Sequence, residues 1–127
     1  YAENAVALSY ARAAGASEAL LLNTAGKVCE GTGSNVFVII DGHPITPPLE
    51  SGCLAGITRG LVVEWFGAQE RDLDSGDLER VEEVFLTSST RNVHPVDRVD
   101  VRVLRGVAHS AVLAEQFLQR ALDEPDP

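Results

Sequence analysis

Val28–Thr46 reads VCEGTGSNVFVIIDGHPIT, and its alternation of strand chemistry with turn chemistry decides the fold class. Val28–Glu30 is a short strand run that stops at Gly31 and Gly33, where a turn or bulge is expected. Ser34–Asp41, SNVFVIID, is rich in β-branched and aromatic residues and ends at Asp41-Gly42, the chemistry of a tight hairpin turn. Pro44–Thr46 returns beside it, ahead of the stiff Pro47-Pro48. Hairpins of this kind favour a largely antiparallel sheet over a doubly wound parallel one.

On the N-terminal side, alanine-rich AENAVALSYARAAGA stops at Gly15, which suits a helix with a glycine stop. Glu18–Asn23, EALLLN, fits a short buried strand, and the turn signal TAGK makes a hairpin with Val28 onward. On the C-terminal side, ITRGLVVEWFGA carries Ile57, Leu61, Val62, Trp65 and Phe66 at helical spacing and closes near Gly67. Gln69–Leu73 reads as an edge strand. Ser75–Val81 reads as a short helix with Ser75 as N-cap and Asp77 and Glu79 in the first turn. Glu83–Thr87 and Val93–Val103 read as strands, and Ala108–Leu122 as a closing helix with Val112, Leu113, Phe117 and Leu118 inward. The expected fold is α+β (mixed α/β), a largely antiparallel sheet or pseudo-barrel with flanking helices. Residues 1–122 form one domain in this reading, and 123–127, DEPDP, an acidic disordered tail.

Composition narrows the function. A chain of 127 residues, 45% apolar and 23% charged, is enough for one domain with a real core. With 19 acidic against 10 basic residues the formal charge is −9, which opposes nucleic acid and anionic membrane surfaces as partners. No apolar run approaches the roughly 20 residues of a membrane span, and no leader pattern opens the chain, so a cytoplasmic location is expected. Cys29 and Cys53 lack CxxC spacing and read as small buried apolar residues. His43, His94 and His109 have no metal-ligand spacing and read as surface residues; the acidic run Asp72–Glu83 reads as a solvated face.

Three stretches carry the chemistry. In VCEGTGSN, Val28 and Glu30 share a strand face, which sets a carboxylate among apolar neighbours beside a glycine-rich bend; taken alone, Glu30 reads equally as a solvated or locally paired strand-end glutamate. GTGSNV lacks the third glycine of a dinucleotide fingerprint. In CLAGITRG, Cys53–Gly60, the Leu54-Ala55-Gly56 lead-in directs the N–H groups of Ile57 and Thr58, with the Thr58 hydroxyl, to the positive end of a helix dipole. That is a phosphate seat or, more blandly, an ordinary helix start with Thr58 as a poor cap. LTSSTRN, Leu86–Asn92, places Thr87, Ser88, Ser89 and Thr90 after a strand, either as the rest of that cradle or as a self-capped loop. Arg91 follows, either adding charge at that mouth or, in the preferred reading, standing as a solvated arginine.

EGTGSNVFVI, DGHPITPPL, GCLAGITR and VFLTSSTRNVHPV, in this order and at these separations, resemble the C-terminal half of the fold type IV pyridoxal phosphate enzymes, which include branched-chain and D-amino acid aminotransferases and aminodeoxychorismate lyases. The resemblance runs from Tyr1 to about Val99. It implies that Glu30 pairs with the protonated pyridine nitrogen of pyridoxal 5′-phosphate, that Leu54 lies against the ring, and that Ile57, Thr58, Ser89 and Ser88 serve the phosphate. Thr90 matches a position near the substrate carboxylate, and Tyr1 a tyrosine near the pocket. The family's lysine, which holds the coenzyme covalently, falls just before the position of Tyr1. The only lysine here, Lys27, lies in a hairpin turn and cannot replace it.

The chain therefore reads as the C-terminal domain of a longer, homodimeric parent that exchanges an amino group between an amino acid and a 2-keto acid, with this piece inactive alone. A 4-amino-4-deoxychorismate lyase of the same fold is the alternative, and a non-catalytic domain that binds the coenzyme or a partner is a third reading.

Overall fold

The computed structural model describes residues 2–99, 102–104, 106 and 108–123. Helix α1 (Ala2–Ala13) leads into the hairpin β1 (Leu20–Leu22) and β2 (Val28–Gly31), then β3 (Asn35–Ile40) and β4 (His43–Thr46). After a 3-10 turn at Leu49–Ser51 come α2 (Ile57–Phe66), β5 (Gln69–Glu70), α3 (Ser75–Leu78), β6 (Glu83–Ser88), β7 (Asn92–Val96), β8 (Arg98–Val99), β9 (Arg102–Val103) and α4 (Ala108–Asp123). A five-stranded sheet in the order β5-β4-β3-β6-β7 forms the body, antiparallel except for β4 against β5. This is the α+β architecture with an antiparallel-dominated sheet that the hairpin chemistry predicts. Asp41 and Gly42 both take positive φ, 52° and 76°, as a two-residue hairpin turn requires.

The β3–β6 pair is buried on both faces, and alternate residues sort into two cores. Val36, Val38, Val84 and Leu86 face Val28, Ile45, Leu73, Val81 and Leu104. Phe37, Ile39 and Phe85 face Val62 of α2 and Leu113 and Phe117 of α4. Phe37 and Phe85 are register partners, and their rings stack at 4.9 Å with 8° between planes. Trp65 meets Phe117 at 5.2 Å and lies under the Arg120 guanidinium, so α2 and α4 are joined directly. The same register pairs Asn35 with Thr87, which sets the bend before β3 beside the hydroxyl turn after β6.

Several local expectations are corrected. Glu18–Asn23 is not a buried strand: only Leu20–Leu22 is extended, it pairs with β2 alone through an irregular register, and Leu22 is 53% exposed. The predicted strand Val93–Val103 is broken at Asp97, whose carbonyl accepts the Leu104 N–H at 3.0 Å to close the small β8–β9 hairpin. In α4, Leu113 and Phe117 point inward as expected, but Val112 and Leu118 are outward, 54% and 51% exposed, and Ser110 takes the third inward place. The helix runs through Asp123, and residues 124–127 of the expected tail lie outside the described residues.

The cap of α3 is Asp74, not Ser75. The Asp74 carboxylate accepts the Asp77 N–H at 2.8 Å and Asp77 accepts the Asp74 N–H at 3.0 Å, a reciprocal box. That bond to Asp74, with Arg80 and Arg71 beside it, holds the Asp77 carboxyl below its ordinary pKa. The acidic run is thus not a uniformly solvated face: Asp77 and Glu83 are only 6% and 5% exposed. Glu83 accepts the Ser110 and His109 N–H groups at 2.8 and 3.0 Å and the His109 ring at 3.0 Å, so a β6 carboxylate caps α4. His43 and His94 are exposed, as expected; His109 is exposed on its outer side but rests on Glu83.

Burial raises the Glu83 pKa, but the Ser110 and His109 donors outweigh it and leave the group below its ordinary value. Its contribution is therefore complete above the unfolded pKa and lost as pH falls through the folded one. Glu83→Gln is expected to cost about 2 kcal/mol at neutral pH, with the gap in melting temperature closing as the pH falls through the folded-state titration of Glu83. A gap that stayed constant across that range would detach the stabilisation from the charge.

Candidate functional site

At the end of the sheet where β3 begins and β6 ends, a cleft of about 560 Å³ opens between Glu30–Asn35, Leu54–Arg59 and Thr87–Ser89. Six of the residues singled out from the sequence, Glu30, Leu54, Ile57, Thr58, Ser88 and Ser89, line it together. Thr90 does not; it is exposed, and its hydroxyl sits 3.3 Å from that of Ser88. Tyr1 lies outside the described residues. A second opening, about 410 Å³ between Ile39, Pro44, Phe66, Val112 and Leu113, is mostly apolar, with His109 and Gln116 also lining it.

Leu54 is held from both sides of its peptide. Its N–H donates to Glu30 Oε1 at 2.7 Å, and its carbonyl accepts Asn35 Nδ2 at 2.8 Å. The side chain so fixed is 72% exposed and faces the opening. Two residues on, α2 starts at Gly56, which supplies no side-chain cap, and its first turn has no acidic residue. The leading N–H groups at the positive end of the helix dipole are thus left for a ligand. Thr58 is buried at 7% and Ile57 exposed at 80%.

Arg59 and Asn35 went unassigned in the sequence, and Thr87 was named only as part of the hydroxyl run. Arg59 is 4% exposed, its Nη2 bound to Glu70 at 2.6 Å and to the Pro47 carbonyl at 3.0 Å. Its Nε, like Thr87 Oγ1, is buried without a hydrogen-bond partner. Both residues line the cleft. Buried polar atoms are seldom left unpaired, and these two are what an anionic oxygen in the cleft would satisfy. The available signal was a polar residue inside an otherwise apolar element: Asn35 opens a valine- and isoleucine-rich strand, and Arg59 interrupts an apolar helix.

Arg91 is exposed, as expected, but it is not free of partners. Its guanidinium pairs with Glu18 from the α1–β1 connection, and its N–H donates to Ser88 Oγ at 3.1 Å. Cys53 is buried as expected, whereas Cys29 is part-exposed. Burial pushes the Cys29 thiol up, against a contact with Ser51, so it is a poor nucleophile. Among the described residues no group of three His, Cys, Asp or Glu side chains gathers as a metal site, and no helix is long and apolar enough to cross a membrane.

The family model for class IV amino-transferases matches residues 1–99. The chain belongs to this family. Its members depend on pyridoxal phosphate. A Synechocystis protein assigned as a branched-chain-amino-acid aminotransferase is 36% identical over 111 residues, 84% of this chain and 36% of its own length. The solved branched-chain aminotransferase of Thermoproteus uzoniensis, determined with norvaline, superposes with a TM-score of 0.90 at 35% identity, over 99% of this chain and 44% of that one. The T.th. branched-chain amino acid aminotransferase complexed with N-(5′-phosphopyridoxyl)-L-glutamate gives 0.85 at 34%, over 94% and 42%. A Legionella pneumophila structure assigned as a 4-amino-4-deoxychorismate lyase gives 0.80 at 31%, over 91% and 46%. The chain thus spans about a third of the length of the curated relative and under half of the solved chains.

Gly56 has no room for a side chain. A Cβ there would lie 2.4 Å from Asn35 Oδ1, and the Asn35 amide is what holds the Leu54 carbonyl. Gly56→Ala is expected to displace Asn35 and lower stability by about 1–3 kcal/mol, read as a lower urea midpoint. Gly60→Ala, in the same helix with open space around it, is expected to be neutral or stabilising.

Proposed function

We propose that this chain forms the floor of the pyridoxal 5′-phosphate site of an aminotransferase that acts on an amino acid and a 2-keto acid. The observation that carries the reading is the Glu30–Leu54 pair facing an uncapped helix start across one cleft. A flat cationic ring and a dianionic phosphate, joined in one molecule, need those two provisions at opposite ends. The buried, unpartnered Thr87 Oγ1 and Arg59 Nε fit the phosphate end. When bound, the coenzyme supplies an electron sink for charge developing at the substrate α-carbon.

The roles of the chain's own residues follow. Glu30 keeps one carboxylate oxygen on the Leu54 N–H and turns the other to the ring nitrogen, where it holds that nitrogen's proton. Leu54, its backbone fixed by Glu30 and Asn35, presses its side chain on the ring face and excludes water there. The Ile57 and Thr58 N–H groups and the Thr58, Ser88 and Ser89 hydroxyls hold the phosphate without needing to move. Thr90 and Tyr1 belong to the substrate side. The amine that binds the coenzyme aldehyde comes from outside these residues, because the only lysine, Lys27, sits at the end of the β1–β2 turn and does not line the cleft. This piece alone is accordingly inactive. A homodimeric, cytoplasmic whole protein belongs to the same reading, supported by the family resemblance.

The lyase alternative keeps the same floor and is favoured by the likeness to the Legionella structure. Amino transfer to 2-oxoglutarate against pyruvate release from aminodeoxychorismate separates the two reactions. In the whole protein, Glu30→Gln is expected to lower turnover by about 10–100-fold and to change the coenzyme's absorption band. Thr58→Ala and Ser89→Ala are each expected to weaken coenzyme affinity about tenfold. An unchanged spectrum and turnover in the Glu30 variant would remove Glu30 from the ring nitrogen.

A further inference from the structure

Glu18 and Arg91 are 73 residues apart, and neither belongs to a helix or strand. One carboxylate oxygen of Glu18 accepts the Gly33 N–H at 2.8 Å and the Ser34 hydroxyl at 2.9 Å, while the other takes the Arg91 guanidinium. The Glu18 side chain is 11% exposed and that of Arg91 35%. The bend closes on this carboxylate only because residue 31 is glycine: a Cβ there would lie 2.4 Å from Ser34 Oγ and 2.9 Å from Glu18 Oε1. Burial raises the Glu18 pKa, but Arg91, the Gly33 N–H and the Ser34 hydroxyl outweigh it, and the group stays below its ordinary value.

These contacts join two walls of the cleft beyond the Asn35–Thr87 pair, where the β3–β6 ladder ends. The β2–β3 bend, with Gly33 and Ser34, follows Glu30; β2 pairs with β1 in a sheet separate from the five-stranded one. The β6–β7 turn carries Ser89 beyond the end of its ladder, where the last pair is Ser88 with Asn92. Arg91 lies inside that turn, and its N–H is on Ser88 Oγ at 3.1 Å, so fixing the guanidinium also fixes the Ser88 hydroxyl. An exposed ion pair contributes little to stability, but a carboxylate shared among two donors and a guanidinium gives directional placement.

We propose that Glu18 and Arg91 are positioning residues that set the separation of the ring-nitrogen wall from the hydroxyl wall, and thereby coenzyme affinity and substrate KM. The proposal rests on the coenzyme reading of the cleft. In the whole protein, Arg91→Ala and Glu18→Gln should each weaken pyridoxal phosphate binding about tenfold in an absorbance titration. The double variant should be no weaker than either single one, because both remove the same contact. KM for the amino substrate should rise with kcat within about twofold, and Arg91→Lys, which keeps the charge, should restore most of the affinity. Variants that melt earlier yet bind coenzyme and substrate like the wild type would reduce the pair to a structural tie and overturn the proposal while the coenzyme reading stands. A wild-type protein that fails to bind the coenzyme would overturn both.

Discussion

The pairing of β3 with β6 is the constraint from which the rest follows. Its register, from Asn35 with Thr87 to Ile39 with Glu83, fixes which residues share a face along the whole sheet. On the face toward α2 and α4, Glu83, Phe85 and Thr87 stand in one column, and Asn35, Phe37 and Ile39 in the next. Glu83 caps α4, the stacked Phe37 and Phe85 form the middle, and Asn35 and Thr87 reach the start of α2. A slip by one residue would exchange this column for Val84 and Leu86 and dismantle the core and the cleft together.

Charge placement separates structural from functional helix ends. The chain carries a formal −9, yet its helix-capping carboxylates are not spread at random. Glu83 sits on the first N–H groups of α4, and Asp74 and Asp77 close the start of α3. Each places an anion where the helix dipole favours it. The start of α2 has no such partner: its cap is Gly56, and its nearest buried charge is the cation Arg59. Left alone, that arrangement keeps unpaired donors and a positive guanidinium at one place, which costs stability and is compatible with the fold only if an anion completes it or water fills the opening.

The strands and helices that were legible in the sequence are those whose signal is local. The Asp41-Gly42 turn, the run NVFVII and the glycine ends of α1 and α2 depend on neighbours a few residues away, and the motifs around Glu30, Leu54 and Thr58 were legible because their order and spacing resemble a known family. What escaped was set by tertiary partners. Val112 and Leu118 have the right apolar character for a core, but α4 meets the sheet through Leu113 and Phe117, and Ser110 is drawn inward beneath the Glu83 cap. Asp74 outcompetes Ser75 because its carboxylate can enter a reciprocal bond with Asp77. The Glu18–Arg91 contact had no local signature at all, since each residue is an ordinary charged loop side chain until the sheet brings the two connections together.

A strongly acidic chain can still hold a dianionic group. At long range a net charge of −9 repels such a ligand, but in physiological salt this field decays over roughly 8 Å. Within that distance the balance is local. The N–H groups of α2 and the Arg59 guanidinium face the cleft, Glu70 engages only Nη2 of that arginine, and Glu18 is already neutralised by Arg91. Among the described residues Glu30 is the one carboxylate on the cleft lining, and it sits at the end where a protonated ring nitrogen would stand. Attraction in this site therefore depends on fixed dipoles and one buried cation, whose effect requires that Leu54, Gly56 and the hydroxyl turn stay where the β3–β6 register puts them.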